Sequence, residues 1–349
     1  MRIHRIFPAA AVALAACLGP ITGCDRGGTD EPDAEVVVYC SVDTAFAEPI
    51  LADYERLTGV KVHQIFDTEA GKTTGLVSKL KAEKGRPRAD VWWSSEIFGT
   101  MELASGGVLA AYEPAGIDDI PRQYRDSSHL WTAVGLRGRV IAYDPKRTRP
   151  DELPRRWCDL VEPKYAGQFR MADPRFGTTR GHMAVLLSLW GEEAMRGFYR
   201  GLRNNGCKLT DGNSQSVVLL SRGVANLVAT DTDDVIVAQG RGDSVAMIYP
   251  DMDAPGGGRS VSGTLWIPCS VALVSGAPRA EAGRKLVDFL VSAEIEVRLH
   301  ASESRNVPVR PGLRARLGAE SPGEAAVDYS AAAGLLDLSD RLVRDILLE

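Results

Sequence analysis

The chain has 349 residues, of which 44% are hydrophobic and 25% are charged, and its formal net charge is −5. This composition is typical of an ordinary globular protein and excludes a collagen-like or a disordered chain. A net acidic chain without basic clusters argues against nucleic acid and against an anionic membrane surface as partners.

Residues 1–23 are predicted to form a lipoprotein signal peptide. Arg2 and Arg5 precede an apolar run, residues 6–18, that is too short to span a bilayer. Residues 21–24, ITGC, have the pattern of a bacterial lipobox, so we expect Cys24 to be lipidated and to become the mature N-terminus. The alternative is an ordinary secretory signal with an incidental cysteine. Loss of the two arginines changes the net charge from −5 to −7.

Residues 24–34 are polar and Gly-rich, as expected of a flexible tether, and residues 35–349 are long enough for two domains. Apolar periodicity predicts strands over 35–39, 60–66, 89–93, 140–143, 169–172, 226–230, 245–249 and 264–274. It predicts helices over 44–58, 73–84, 98–105, 179–189, 192–202 and 280–291. This alternation predicts an α/β fold with mostly parallel sheets covered by helices.

Crossing strands are predicted to join two lobes, which leaves a ligand cleft between them. We assign residues 35–135 and about 264–300 to lobe 1, residues 136–263 to lobe 2, and residues 301–349 to a C-terminal segment that packs on both lobes.

Six cysteines are present; Cys17 leaves with the signal peptide and Cys24 is the lipidation site. The spacing of the other four, Cys40, Cys158, Cys207 and Cys269, matches no zinc pattern. A disulfide between Cys158 and Cys207 is favoured because both fall in the second lobe. The alternative is that all four are small buried apolar residues.

Several segments, in their order and spacing, resemble the ferric-iron-type family of periplasmic substrate-binding proteins of ABC importers. They are VVVYCSVD (36–43), FAEPILADYERLTGVKV (46–62), LVSKLKAEKGRPRADVWWSSE (76–96), RVIAYD (139–144), WCDLVEPKYAGQFRMADP (157–174), KLVDFLVS (285–292) and VPVRPG (307–312). The resemblance implies a two-lobed type II periplasmic binding protein fold and delivery of a small ligand to permease and ATPase subunits. We expect a monomer whose only contact with the membrane besides that complex is its lipid anchor.

The resemblance also implies positions for the ligand, and the chain departs from the iron pattern there. Family members resemble one another in a histidine, a glutamate and a pair of adjacent tyrosines. Glu96 matches the glutamate, Asp43 stands in place of the histidine, and Thr232 and Asp233 stand in place of the tyrosines. Ligation of Fe(III) by a pair of phenolates is therefore not expected.

Oxygen-bearing side chains on loops that should face the cleft form the predicted ligand site: Ser41, Asp43, Glu96, Asp231, Thr232, Asp233 and Asp234. Converging carboxylates need a cation or protons between them. We predict that Asp43, Glu96, Asp231 and Asp233 hold iron or another hard cation, such as Mg²⁺ or Ca²⁺, as transported ligand, or an ammonium group instead. The alternative is that residues 230–234, TDTDD, only cap a helix.

A second predicted site binds an anion. The loop at 173–182, DPRFGTTRGH, enters a helix, so backbone N–H groups near Gly177, Thr178, Thr179 and Arg180 should favour a negative group. The side chain of Arg180 is expected to add positive charge there. Arg137 and Arg139 are expected to face the same region. A metal ion with its synergistic anion, or a zwitterion such as an aminoalkyl phosphonate or phosphate compound, suits the two sites together. The alternative is a helix cap with surface arginines.

No Gly-x-Ser-x-Gly, His-Glu-x-x-His or phosphate-loop motif occurs, so we predict a binding protein without a catalytic cofactor rather than an enzyme. A ligand-sensing lipoprotein remains an alternative to a transport component.

Overall fold

The computed structural model describes residues 35–348 except 69–70 and 258–260. The predicted signal peptide, the tether residues up to 34 and Cys24 lie outside these residues. Within the described part of the chain, none of the helices combines the length and the apolar character that a membrane span requires.

Ten strands form one continuous sheet: β1 Glu35–Cys40, β2 Lys61–Phe66, β3 Val91–Ser94, β4 Leu109–Ala110, β5 Thr132–Tyr143, β6 Phe169–Ala172, β7 Lys208–Thr210, β8 Leu227–Asp231, β9 Ala246–Ile248 and β10 Trp266–Val274. The strand order is β2-β1-β3-β10-β5-β8-β6-β7, with β4 on β10 and β9 on β5. β1 pairs in parallel with β2 and β3, and β6 pairs in parallel with β7 and β8.

Helices cover the sheet: α1 Thr44–Thr58, α2 Thr74–Ala82, α3 Phe98–Ser105, α4 Gly177–Trp190, α5 Glu192–Asn204, α6 Asn213–Ser221, α7 Thr232–Gly240, α8 Ala280–Leu290, α9 Ala293–Ala301, α10 Pro311–Leu317, α11 Tyr329–Ala333 and α12 Leu336–Leu342. Gly59 ends α1 with a φ of 75°, and its N–H donates to the carbonyl of Glu55. A left-handed glycine at this position is a common helix stop.

The long strand β5 belongs to both halves of the sheet. Its first part, 132–138, pairs antiparallel with β10, and its second part, 139–143, pairs antiparallel with β8. We call β1 to β4 with β10 the first half-sheet and β6 to β9 the second. The predicted α/β class with a crossing strand between two halves is confirmed.

A largely apolar core joins the elements. Four tryptophans are almost completely buried in it, Trp92, Trp93, Trp157 and Trp266. A smaller cluster, which includes Val140, Val217 and Val235, packs α6 and α7 against the second half-sheet. This packing fixes the first turns of α6 and α7, which carry polar residues of the site.

The four cysteines of the described region are free thiols, so the predicted Cys158–Cys207 disulfide is wrong. The two residues are held by different neighbours. Cys158 Sγ lies 3.6 Å from the carbonyl oxygen of Asp253, while Cys207 follows α5 and contacts the carbonyl of Lys208. Cys40, Cys158 and Cys269 are buried, as the alternative of small apolar residues expects.

Candidate ligand-binding site

Three helices, α4, α6 and α7, begin around one small cavity, and residues of β5 and of the loops after β2 and β3 close its other side. The cavity has a volume of about 30 Å³, room for an ion or about two water molecules. Its walls are formed by Lys72, Ser95, Arg137, Ala172, Asp173, Phe176, Gly177, Thr178, Thr179, Asp211, Gly212, Asn213, Asp231 and Asp234.

Asp231, the N-cap residue of α7, is fully buried at the centre of a hydrogen-bond network. One carboxylate oxygen accepts from Thr178 Oγ1 at 2.6 Å and from Asn213 Nδ2 at 2.9 Å. The other accepts from Arg139 Nη1 at 3.1 Å. Arg139, also fully buried, donates to Asn213 Oδ1 and Thr179 Oγ1 as well. The predicted cation and anion residues therefore meet here, in a network whose two charges neutralise each other.

Asp233 is only 2% exposed, and its surroundings differ from those of Asp231. Its Oδ2 lies 3.0 Å from Arg137 Nη1, whereas its Oδ1 has no hydrogen-bond partner among the described residues. The Nε of Arg137 also lacks a partner in this part of the chain. Burial raises the pKa of Asp233 to about 6, because the attraction of Arg137 does not offset burial and the nearby carboxylates of Asp231 and Asp43. Buried polar atoms are seldom left unpaired, so these two atoms are candidates for contact with a ligand.

Asp43 and Asp234 complete the acidic group. Carboxylate oxygens of Asp231, Asp233 and Asp234 lie within 4.8 Å of one another. Burial and the neighbouring Asp233 and Asp231 carboxylates raise the pKa of Asp234 well above its usual range. Asp43 precedes α1 and forms an ion pair with Lys72. Burial acts to raise the pKa of the Asp43 carboxyl group. The positive charges of Lys72 and Arg137 outweigh burial and hold this pKa below its usual value.

A groove of about 190 Å³ separates Asp43 from the start of α7. It is lined by Asp43, Ala45, Phe46, Ser214, Val217, Val218, Asp233, Asp234, Val237 and Arg241. Carboxylates from both half-sheets therefore face the same space, with apolar side chains behind them.

The predicted anion-binding turn is divided between two surroundings. Gly177, Thr178 and Thr179 line the cavity at the first turn of α4. The side chain of Arg180 instead donates to Asp340 at 2.9 to 3.1 Å and to a carboxylate of α3 at 2.7 Å. The expectation that Arg180 faces the anion is corrected, because both of its charged partners lie outside the cavity.

Glu96, Ser41 and Thr232 are buried but bind other parts of the protein. The carboxylate of Glu96 accepts from the N–H groups of Phe98 and Gly99, and burial raises its pKa to about 7. Ser41 Oγ accepts from Ser95 N, and Thr232 Oγ1 accepts from Gly138 N. The structure does not bring Glu96 together with the three aspartates, because its carboxylate accepts hydrogen bonds from the first N–H groups of α3.

The cavity residues that were not singled out in the sequence include Lys72, Ser95 and Asn213. Ser95 directly precedes Glu96 at the end of β3. Ser95 therefore lines the cavity in the place where Glu96 was predicted. Asn213 begins α6, a helix that the periodicity did not predict. The segment 211–213, DGN, is a helix-start signal and was the available indication.

Comparisons with known proteins agree with this architecture. The chain is 24% identical over 307 residues to iron uptake protein A1 of Synechocystis sp., covering 85% of this chain and 82% of that protein. It superposes on iron-bound HitA from Pseudomonas aeruginosa with a TM-score of 0.76 at 21% identity, covering 90% and 99% of the two chains. It superposes on the periplasmic binding protein AfuA from Actinobacillus pleuropneumoniae, with exogenous fructose-6-phosphate bound, with a TM-score of 0.75 at 21% identity, covering 90% and 99%.

These structural likenesses confirm the predicted two-lobed type II periplasmic binding protein fold, with a ligand cleft between lobes joined by crossing strands. The model of the family described as bacterial extracellular solute-binding protein matches residues 99–327, more than half of the chain. The chain therefore belongs to the bacterial extracellular solute-binding protein family.

Proposed function

We propose that the protein is the solute-binding component of an ABC importer, and that its cargo is a metal ion of the iron type taken up together with an anion. Its role is capture and delivery rather than catalysis. The observation that carries the proposal is a pair of buried atoms without a partner among the described residues, Asp233 Oδ1 and Arg137 Nε. Asp233 lines the groove and Arg137 lines the neighbouring cavity.

The cation side of the proposed site consists of Asp43, Asp233 and Asp234, with Asp231 behind them. Their oxygens are hard ligands, which suit Fe(III) and other hard cations better than soft metals. Burial, together with repulsion from Asp231 and Asp43, raises the pKa of Asp233, and a cation at this position would oppose both effects. Asp231 already binds Arg139 at 3.1 Å, so we propose that it supports the site through charge rather than by direct ligation.

The anion side consists of Lys72, Arg137 and the first turns of α4 and α6. α4 has 14 residues and α6 has nine, so each directs partial positive charge at its N-terminus toward the cavity. The hydroxyl groups of Thr178 and Thr179 lie at the same end. An anion bound here would balance a cation at the carboxylates, as the opposite charges of the two sides require.

Relatives support iron as the first candidate, since iron uptake protein A1 and iron-bound HitA are both named for iron.

The residues of the site give specific reasons for a second candidate, a small organic phosphate or an aminoalkyl phosphonate. Thr232 and Asp233 replace the tyrosine pair, and the groove beside them has apolar walls, including Phe46 and Val237. An ammonium group at Asp233 with its hydrocarbon on those walls would use both features, and AfuA was solved with an organic phosphate.

We propose that lipidated Cys24 anchors the protein outside the cytoplasmic membrane, with residues 24–34 as the tether. The predicted lobe limits, 35–135 with about 264–300 and 136–263, remain part of this proposal. A sensor for the same ligand would have the same fold. Permease and ATPase genes beside the coding sequence would support import, and a kinase gene there would support sensing.

Isothermal titration calorimetry tests the cargo. Ferric iron supplied as its citrate complex, and 2-aminoethylphosphonate, are titrated into the wild-type protein and into the Asp233→Asn and Arg137→Met variants. The proposal predicts that one of the two ligands binds and that both variants weaken its binding by about thirtyfold or more. Asp151→Asn, at an exposed surface carboxylate, is the matched control and should bind like wild type. Equal affinity in wild type and both site variants would contradict the proposed site.

A further inference from the structure

The first turn of α4 has two functional faces. Thr178 and Thr179 line the ligand cavity, whereas Arg180 and Gly181 contact α3 and α12. Successive residues of an α-helix are rotated by about 100°, so Thr178 and Arg180 project to opposite sides. One short rigid segment therefore touches both the ligand site and another part of the molecule.

The polar half of that second contact is an ion-pair bridge. Arg180, only 9% exposed, lies 2.7 Å from Glu102 of α3 and 2.9 Å from Asp340 of α12. Glu102 also binds Lys81 of α2 at 2.5 Å. Attraction by Asp340 and Glu102 raises the pKa of Arg180 against the opposing effect of burial, so the guanidinium stays charged. The bridge thus connects α3, which follows the first half-sheet's β3, to α4, which follows the second half-sheet's β6.

The apolar half is a contact between Phe98 and Gly181. A methyl group added at Gly181 would lie 2.0 Å from Phe98 Cδ2, so only glycine allows the ring to rest on the helix at this distance. Phe98 is 1% exposed, and its ring meets that of Tyr329 of α11 at a centroid distance of 6.1 Å. The two halves of the molecule are therefore closely packed here, away from the ligand cavity.

We propose that Phe98, Glu102, Arg180 and Gly181, which we call the α3–α4 interface, hold the two lobes together in the closed form and so set the affinity for cargo from outside the cavity. This inference rests on the proposed function for its link to cargo. These contacts join residues of lobe 1 to residues of lobe 2, so separation of the lobes would break them and they favour the closed state. An affinity that requires closure depends directly on the fraction of molecules that close. Arg180 is on this account a positioning residue and not a ligand.

Gly181→Ala is the decisive variant, because its methyl group cannot fit against the Phe98 ring. Gly197→Ala in α5 is the matched control, since a methyl group there meets no atom within 4 Å. Small-angle X-ray scattering of the cargo-free proteins should give a larger radius of gyration for Gly181→Ala than for wild type and Gly197→Ala. Equal radii for all three proteins would show that the interface does not hold the lobes together, and the inference would be wrong.

A stopped-flow experiment with ferric citrate tests the link to binding. Gly181→Ala should release the iron about tenfold faster than wild type, with little change in the association rate. A loss of affinity of this size is expected when contacts of a charged and packed interface are removed. Glu102→Gln, at a partly exposed position that should fold normally, should act in the same direction because it removes one partner of Arg180. Unchanged release in both variants would contradict control of affinity by the interface. If wild type binds no ferric citrate, the iron candidate fails, while the scattering comparison still decides the interface.

Discussion

The difference in stability between the cargo-free Asp233→Asn variant and cargo-free wild type should change with pH. As the pH rises from about 4 to about 6, the variant should gain stability relative to wild type. Asn keeps the shape of the side chain and removes its charge. Burial raises the pKa of Asp233 from 3.8 to about 6. The folded wild type therefore binds a proton in this range that the unfolded chain has released, so its stability falls as pH rises. The variant lacks this proton and should show no such loss.

The size of the effect follows from the same pKa. A tenfold change in proton affinity corresponds to about 1.4 kcal/mol, so a rise from 3.8 to about 6 corresponds to about 3 kcal/mol. The difference in unfolding free energy between variant and wild type should therefore grow by about 3 kcal/mol between pH 4 and pH 7 through Asp233 itself. At the same time Asp233→Asn should weaken cargo binding, because the carboxylate that destabilises the fold is the one proposed to hold the cation.

Urea unfolding at pH 4, 5, 6 and 7, with cargo removed, measures this difference directly. Titrating groups away from the site are common to the two proteins and cancel in the comparison. Asp234 does not cancel, because the Asp233 carboxylate helps to raise its pKa, and losing that contribution in the variant changes the difference in the same direction. Asp151→Asn, at an exposed carboxylate, serves as control, and its difference from wild type should not change with pH. A pH-independent difference for Asp233→Asn as well would refute the account of Asp233 as a strained carboxylate in a ligand site.

Three further predictions concern other parts of the protein. Arg139→Met removes the guanidinium that lies 3.1 Å from the buried carboxylate of Asp231, and it should destabilise the fold by about 3 to 5 kcal/mol. A loss of unfolding free energy below about 1 kcal/mol in urea would contradict the network described here. Cys24→Ala should move the protein from the membrane fraction to the soluble extracytoplasmic fraction, and continued membrane association would refute lipid anchoring. A ferric complex should lack the visible charge-transfer band of tyrosinate ligation, because the family resemblance places Thr232 and Asp233 at the positions of the tyrosines. A strong visible band would contradict the proposed ligands.

Elements with strong local signals were predictable from the sequence. α1 occupies the predicted residues 44–58 because its apolar spacing is regular and Gly59 ends it with a φ of 75°. β5 was predicted only from residue 140, although it begins at Thr132. Its first part contains Gly135 and Gly138 and is stabilised by pairing with β10, more than 100 residues away in sequence. No local pattern reports such a distant partner.

The candidate site was predictable in chemistry and only partly in geometry. The segment that contains Asp231 and Asp233 does meet the predicted anion turn at Thr178. The direction of single side chains was harder to predict. A displacement of one residue reverses the facing side in a strand and rotates it by about 100° in a helix. Ser95 lines the cavity where Glu96 was expected, and Arg180 turns to α12 while Arg139 enters the network. These choices are made by tertiary contacts.

Native mass spectrometry with elemental analysis, on protein purified from its own membrane fraction, tests the central claim most directly. Wild type should carry one small cargo per chain, either iron with an anion or a single organic molecule that contains phosphorus. A double variant, Asp233→Asn with Arg137→Met, should carry none while remaining folded. Finding the same cargo in both proteins, at the same occupancy, would contradict a binding site built around Asp233 and Arg137.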